Sequence, residues 1–308
     1  MTSQTTLNRR YTTDRLYDIV LAEAKNFLVL PDDVAKLCLQ DEQRTKALMD
    51  IISETTLPDT LGADIGAGSG ILGFAFLNAG GRYLFSVEKS PRWADFIRKL
   101  AYQLGFHEQM KVYTADATTV RLEPHPPIDY VIAELVSTGL SREPLVQAVK
   151  NIRQYASPNA IYLPLWVISE IVVHTGRRSG NGSKPLTKPK IYDVVHMPSV
   201  SATGVDCEVE LEAINEGKPE HVALDTTLIG PNGLPIGKFD TLCGSFSVPL
   251  SFEDPSASLL VKMAGPFTTP KVSIGQRIIV RIDYQYGEVI DCEYGRPQKT
   301  FRWSCRKL

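Results

Sequence analysis

Three glycines at alternate positions, in Asp64-Ile-Gly66-Ala-Gly68-Ser-Gly70, constrain this chain more than any other feature. The run lies between a short apolar segment, Thr60–Ile65, and a helix-length apolar segment, Ile71–Ala79, closed by Gly80-Gly81. Glycine permits the backbone of a tight strand-to-helix turn and lets backbone N–H groups approach a bound molecule. The same alternation continues. Tyr83–Val87 reads as a strand, Pro91–Leu104 as a helix ended by Gly105, and Lys111–Thr114 and Tyr130–Ala133 as further strands. Strands alternating with helices of this length predict βαβ units and a parallel sheet.

Two other zones flank that core. Residues 1–55 read as a helical cap: Pro31-Asp32-Asp33 is a helix-start signal, and an earlier helix is expected around Thr13–Phe27. Val34, Leu37, Cys38, Leu48, Ile51 and Ile52 follow at roughly helical spacing. Residues 56–165 form the alternating α/β domain. Residues 166–308 carry almost no helical pattern. Their β-rich runs, Trp166–His174, Glu208–Ala213, Val222–Ile229, Leu259–Met263 and Gln276–Tyr286, predict an antiparallel barrel-like or sandwich domain. Arg177–Lys190, rich in Gly, Ser, Lys and Pro, reads as a loop. The chain has 308 residues, enough for about two domains.

Composition narrows the function classes. The formal net charge is −2 and the pI about 6.2, which argues against a protein that coats nucleic acid. The five cysteines are scattered, without C-x-x-C spacing, so a reducing, cytoplasmic setting is expected rather than a disulfide framework. The five histidines show no metal-ligand spacing, and no segment reads as a signal peptide or a membrane span. Glu208, Glu210 and Glu212 alternate on one strand face and read as a solvated surface.

Acids follow the glycine turn at strand ends. Glu88 stands twenty-four residues after Asp64, and Asp116 ends the next strand. A carboxylate at the Glu88 position suits a ribose diol. A carboxylate before the turn, at Asp64, would repel a pyrophosphate but can serve a ligand bearing an ammonium group. S-adenosylmethionine (SAM) carries an amino-acid end, a sulfonium and no phosphate. The pattern resembles the class I SAM-dependent methyltransferases. That resemblance implies that Asp64, Gly66, Gly68 and Gly70 hold the methionine end, Glu88 with its neighbour Lys89 the ribose side, and Asp116 with Ala117 the adenine. The product would be S-adenosylhomocysteine.

The segment after the fourth strand bears on the methyl acceptor. It reads Ile132-Ala-Glu134-Leu-Val-Ser-Thr-Gly139-Leu-Ser-Arg-Glu143-Pro, and the Asn/Asp-Pro-Pro-Tyr segment of base amino-methylases is absent. Two glutamates flank Gly139, and a loop folding back there would aim both at one pocket. This resembles the double-glutamate loop of the protein arginine methyltransferases. Leu39-Gln-Asp41-Glu-Gln-Arg44-Thr45 resembles that family's pre-sheet helix, and Ala160-Ile-Tyr-Leu-Pro164 its passage into a β-barrel. The resemblance implies Glu134 and Glu143 as catalytic residues, Arg44 as the grip on the SAM carboxylate, and a guanidino-bearing substrate. Two carboxylates match a guanidinium, which is planar and permanently charged, through paired hydrogen bonds.

Two family motifs have no counterpart, the N-terminal paired tyrosines and the Thr-His-Trp loop; Trp93, Trp166 and Trp303 do not follow a histidine. Free arginine or a related small molecule therefore stands beside protein and peptide arginine as the expected acceptor. Arg177–Lys190 does not read as the family's dimerisation arm, which leaves the oligomeric state open, a homodimer included. Two alternatives stay open: a methyltransferase of another small molecule or peptide in which Glu143 is not catalytic, and a SAM-binding regulatory protein without turnover.

Overall fold

The structure is a computed structural model that describes residues 10–27, 33–123, 127–175, 183–237, 246–249, 251–252, 270–287 and 301–305. Three helices open it: α1 (Thr13–Lys25), α2 (Val34–Gln40) and α3 (Glu42–Thr55). The apolar residues from Val34 to Ile52 that recur at roughly helical spacing fall on two helices. The chain breaks at Asp41, which ends α2 and caps α3 by accepting the Arg44 N–H. An N-cap carboxylate satisfies one of a helix's orphan donors, and here it also fixes the start of the helix that carries Arg44. Val34 and Leu37 on α2 are 49% and 38% exposed. Asp33 caps α2 as its position implies, accepting the Lys36 N–H.

The alternating zone then runs β1 (Leu61–Ile65), α4 (Ile71–Asn78), β2 (Tyr83–Glu88), α5 (Pro91–Leu104), β3 (Met110–Thr114), β4 (Ile128–Ile132), α6 (Leu145–Ile152) and β5 (Ala156–Leu163). All five strands are parallel, in the order β3-β2-β1-β4-β5. β1 is central, and its five residues are all buried. α4 is nearly buried all round, with Phe74 and Phe76 fully enclosed; each such side chain contributes about 1.5–3 kcal/mol of burial free energy. α5 begins at Ser90, which caps Trp93, and ends at Gly105 in the left-handed conformation. The order reverses between β1 and β4, and ligands of open α/β sheets bind outside the strand carboxyl ends at such a switch point.

The remaining strands are β6 (Trp166–Thr175), β7 (Lys184–Pro185), β8 (Lys190–His196), β9 (Gly204–Glu212), β10 (His221–Ile229), β11 (Pro235–Gly237), β12 (Phe246–Pro249), β13 (Ser251–Phe252), β14 (Arg277–Gln285) and β15 (Phe301–Cys305). They build two sheets. In one, β10 and β6 are the centre, joined by β7, β8, β11 and β12; the other has the order β13-β15-β14-β9. Pairing is antiparallel except between β13 and β15. Among the described residues the sheets do not close into a complete barrel.

The loop expected over Arg177–Lys190 is corrected in part. Lys184 and Pro185 pair with β6, and Lys190 begins β8 on that same edge of β6, opposite β10; residues 177–182 lie outside the described residues. Pro, Gly and Lys marked turn chemistry there, whereas register against the long β6 decided the outcome. The strand expected at Leu259–Met263 also lies outside the described residues. On β9, Val209 and Leu211 point inward, while Glu208 and Glu212 are exposed and Glu210 pairs with Arg277 of β14. No helix among the described residues is long and apolar enough to cross a membrane.

Candidate active site

A cavity of about 430 Å³ opens over the carboxyl ends of β1, β2 and β4 and beneath α2. Arg44, Asp64, Gly66, Gly68, Glu88, Lys89, Asp116, Ala117, Glu134 and Glu143 all line it. Of the residues singled out in the sequence, only Gly70 is outside the lining. It caps α4 with φ +76°, and a Cβ there would lie 2.9 Å from Ile97 Cγ1, so its role is conformational.

Backbone hydrogen bonds hold the turn to the next strand. Gly66 and Ala67 donate to the Val87 carbonyl at 2.9 and 3.0 Å. Glu88 accepts from Gly68 N at 2.8 Å and from Ser90 N at 2.7 Å, one bond on each oxygen. Each oxygen keeps capacity for a further donor such as a ligand hydroxyl. Burial raises the Glu88 carboxyl pKa, opposed by these N–H groups. Asp64 sits deeper, accepting from Gly73 N at 3.1 Å, and burial pushes its carboxyl up to about 7. Asp116 accepts from the Thr118 N–H and hydroxyl and pairs with Lys89 at 2.9 Å, which lowers its carboxyl to about 2.

α2 roofs the cavity with Asp33, Val34, Ala35 and Cys38. These contributions, apart from the capping aspartate, carry no signal in the sequence. The roof is tied down where Trp93 Nε1 donates to Asp33 at 2.9 Å and Tyr17 donates to the Leu39 carbonyl at 3.0 Å. A Cβ on Gly68 would lie 3.2 Å from Ala35, so the missing side chain keeps the space between turn and roof.

Arg44 pairs directly with Glu134, with the Cys38 sulfur alongside. The arginine is 2% exposed and the glutamate 11%. Ninety residues separate them in sequence, so no local pattern announces the contact. Burial raises the Glu134 carboxyl pKa, and Arg44 opposes the rise. Glu134 Oε1 is buried without a hydrogen-bond partner among the described residues. Burial also pushes the Cys38 thiol up to about 11.

Glu143 reaches the same cavity because the chain doubles back. Gly139 and Leu140 are both left-handed, with φ of +63° and +55°. Ser137 Oγ closes the loop by accepting from Arg142 N at 2.8 Å and Glu143 N at 3.1 Å. Glu143 is close enough to raise the Glu134 pKa by charge repulsion.

Solved structures share this architecture. Over 81% of this chain and 87% of the other, it superposes on the Trypanosoma brucei PRMT1 enzyme–prozyme heterotetrameric complex with AdoHcy, with a TM-score of 0.62 and 15% identity. Protein arginine methyltransferase 10 of Arabidopsis thaliana gives the same TM-score and identity over 80% and 86%. The fold is that of the protein arginine methyltransferases. Curated relatives agree in sequence over a shorter span. An arginine N(omega)-methyltransferase of Streptomyces achromogenes is 30% identical over 131 residues, 41% of this chain and 36% of that protein. A probable protein arginine N-methyltransferase 1.2 of Arabidopsis thaliana is 30% identical over 129 residues, 41% of this chain and 35% of that protein. The matched region thus spans little more than a third of these relatives. An uncharacterised protein of Methanocaldococcus jannaschii is 23% identical over 77% of this chain and 95% of its own length. No family model matches the chain.

Proposed function

We infer that this protein is a SAM-dependent N-methyltransferase acting on a guanidino nitrogen. The observation that carries the reading is the convergence of Glu134 and Glu143 on the cavity that holds the glycine turn and Glu88. The arginine methyltransferase names of the relatives, and the fold shared with such enzymes, support it.

The residues present fit SAM. The missing side chain at Gly68 leaves room for a ligand between the turn and Ala35, whereas the one at Gly66 accommodates Leu135, which a Cβ there would strike at 2.2 Å. Glu88 offers acceptors for hydroxyls, and Asp64 offers a carboxylate deep in the pocket. Bound SAM supplies an electrophilic methyl on a sulfonium.

The chain's own residues do the rest. Glu134 and Glu143 accept hydrogen bonds from the guanidinium, and the buried, unpartnered Glu134 Oε1 is a ready acceptor. Two carboxylates hold the positive charge on the far nitrogens, which leaves electron density on the nitrogen facing the methyl; as the nitrogen–carbon bond formed, the methyl–sulfur bond would break, S-adenosylhomocysteine would leave and the attacking nitrogen would lose one proton to a carboxylate or water. Arg44 favours the anionic form of Glu134, opposing the rise in its carboxyl pKa that burial imposes. The turn and the two carboxylates together set the line of approach, and in-line positioning supplies much of the acceleration of such a transfer.

The acceptor is arginine in a protein or peptide, or free arginine or a related small molecule. Incubation of the purified protein with SAM and, separately, free arginine and arginine-bearing peptides tests the reading by mass spectrometry. Methylation at a guanidino nitrogen is expected in at least one arm. SAM binding without transfer to either would favour a regulatory role, and transfer only to acceptors without a guanidino group would overturn the acceptor class.

A further inference from the structure

The fold-back between the two glutamates is held from outside the α/β sheet. Gly139 N donates to Thr226 Oγ1 of β10 at 2.7 Å, and Tyr284 of β14 donates its hydroxyl to the Gly139 carbonyl at 2.6 Å. With its proton spent there, Tyr284 accepts from Tyr192 of β8 at 3.0 Å. Gly287 N donates to the Leu140 carbonyl at 2.9 Å, and Gln147 at the start of α6 donates to the Tyr286 carbonyl at 2.5 Å. Gly139 is therefore anchored through its N–H and its carbonyl by strands of the two antiparallel sheets, and Leu140 through its carbonyl by the turn after β14.

The anchoring answers a local need. Leu140 is a leucine in the left-handed region, a conformation that side chains with a Cβ disfavour and that persists only where surroundings impose it. Gly139 has no room for a Cβ, which would lie 2.8 Å from the Tyr192 hydroxyl and 3.0 Å from that of Tyr284. The loop is shaped around the tyrosines. Burial raises the pKa of both phenols, so they remain donors.

We propose that Tyr284 and Thr226 are positioning residues that clamp Gly139 from the β-sheets and so set the distance between Glu134 and Glu143. The two carboxylates are the jaws of the acceptor site, and the clamp lies at their hinge. This rests on the two-carboxylate reading above. It also assigns the β-sheets a part in the chemistry, because displacement of the hinge moves Glu143 relative to Glu134 without touching the turn that faces the cofactor.

Tyr284→Phe removes one hydroxyl, Thr226→Val the other, and Thr226→Ser keeps the acceptor. With arginine or an arginine peptide as acceptor, Tyr284→Phe and Thr226→Val are expected to lower kcat roughly 10- to 100-fold, the scale of small misplacements at a reacting centre. SAM affinity by calorimetry stays unchanged, and Thr226→Ser retains turnover. In a Glu143→Gln background, Tyr284→Phe adds no further loss, because positioning acts through a carboxylate already neutralised. Hydrogen exchange across residues 137–143 speeds up in Tyr284→Phe, a readout that needs no turnover. Wild-type turnover and exchange in Tyr284→Phe overturn the proposal, as does an equal loss in both backgrounds, which is the mark of general destabilisation. Full turnover in Glu143→Gln alone overturns the two-carboxylate reading itself, and the exchange rates then still report whether the clamp holds the loop.

Discussion

Replacement of Arg44 by methionine tests the buried ion pair at the head of the cavity. Arg44 is 2% exposed and Glu134 11%, so Arg44→Met leaves a carboxylate that water hardly reaches. Breaking one side of such a pair costs about 3–5 kcal/mol, a large share of a typical total of about 5–15 kcal/mol. The loss depends on pH. Burial already raises the Glu134 pKa above that of the unfolded chain, and Arg44 opposes the rise. Without Arg44 the folded-state value climbs further. Between the unfolded and folded values the folded variant binds more protons than the unfolded one, so its stability falls as pH rises through that window. Denaturant titrations should show a penalty for Arg44→Met that shrinks as pH falls toward the carboxyl range and grows as pH rises, because protonation neutralises Glu134. Glu134→Gln in the same chain should remove most of the penalty and its pH dependence. An Arg44→Met penalty that is independent of pH and undiminished in the Glu134→Gln background would refute the reasoning.

Other substitutions separate the functions of neighbouring residues. Glu134→Gln and Glu143→Gln should each leave SAM affinity nearly intact while lowering kcat by roughly 10²–10³, or about 2.7–4 kcal/mol by analogy with other groups that act in the transition state; steady-state kinetics on a guanidino acceptor decides it, and a loss for Glu134→Gln alone would sink the two-carboxylate mechanism. Glu88→Ala should weaken SAM binding by about 1.5–3 kcal/mol, the value of hydrogen bonds to a charged group, and unchanged affinity by calorimetry would count against the ribose assignment. Gly70→Ala should cost about 1–3 kcal/mol of stability through backbone strain and contact with Ile97; a weakened SAM complex in folded Gly70→Ala would show that Gly70 contributes more than conformation.

What could be read from the sequence was local. The glycine turn, the strands beside it and the acids at their ends follow from short-range chemistry, and a strand's last residue tells which rim of the sheet it reaches. Glu134 and Glu143 were legible together because Gly139 between them announced a reversal. Contacts that close between distant segments were not. Arg44 meets Glu134 across ninety residues, and the hinge at Gly139 is tied to Thr226 and Tyr284, whose surroundings in sequence are ordinary strand. The break at Asp41 was hidden for a different reason. The same aspartate that ends one helix starts the next, so the apolar spacing runs on while the axis turns. β8 was missed although Ile191, Tyr192, Val194 and Val195 favour a strand, because it follows directly on the Pro- and Lys-rich run that reads as a loop.

The charges lining the cavity explain why these distant contacts matter. Six carboxylates, Asp33, Asp64, Glu88, Asp116, Glu134 and Glu143, face it together with two cations, Arg44 and Lys89. Lys89 is spent on Asp116 at the exposed rim and Arg44 on Glu134 inside, so the acid excess is greatest between the glycine turn and the fold-back. Burial raises the pKa of Asp64, Glu88 and Glu134, which means that holding these carboxylates charged carries an electrostatic cost. A cation that enters relieves it, whereas an anion adds to it. A sulfonium and a guanidinium are both positive and would repel each other in water. On the reading proposed above, carboxylates on the glycine-turn side and on the fold-back would flank two such groups and would offset the repulsion that otherwise opposes bringing them into line.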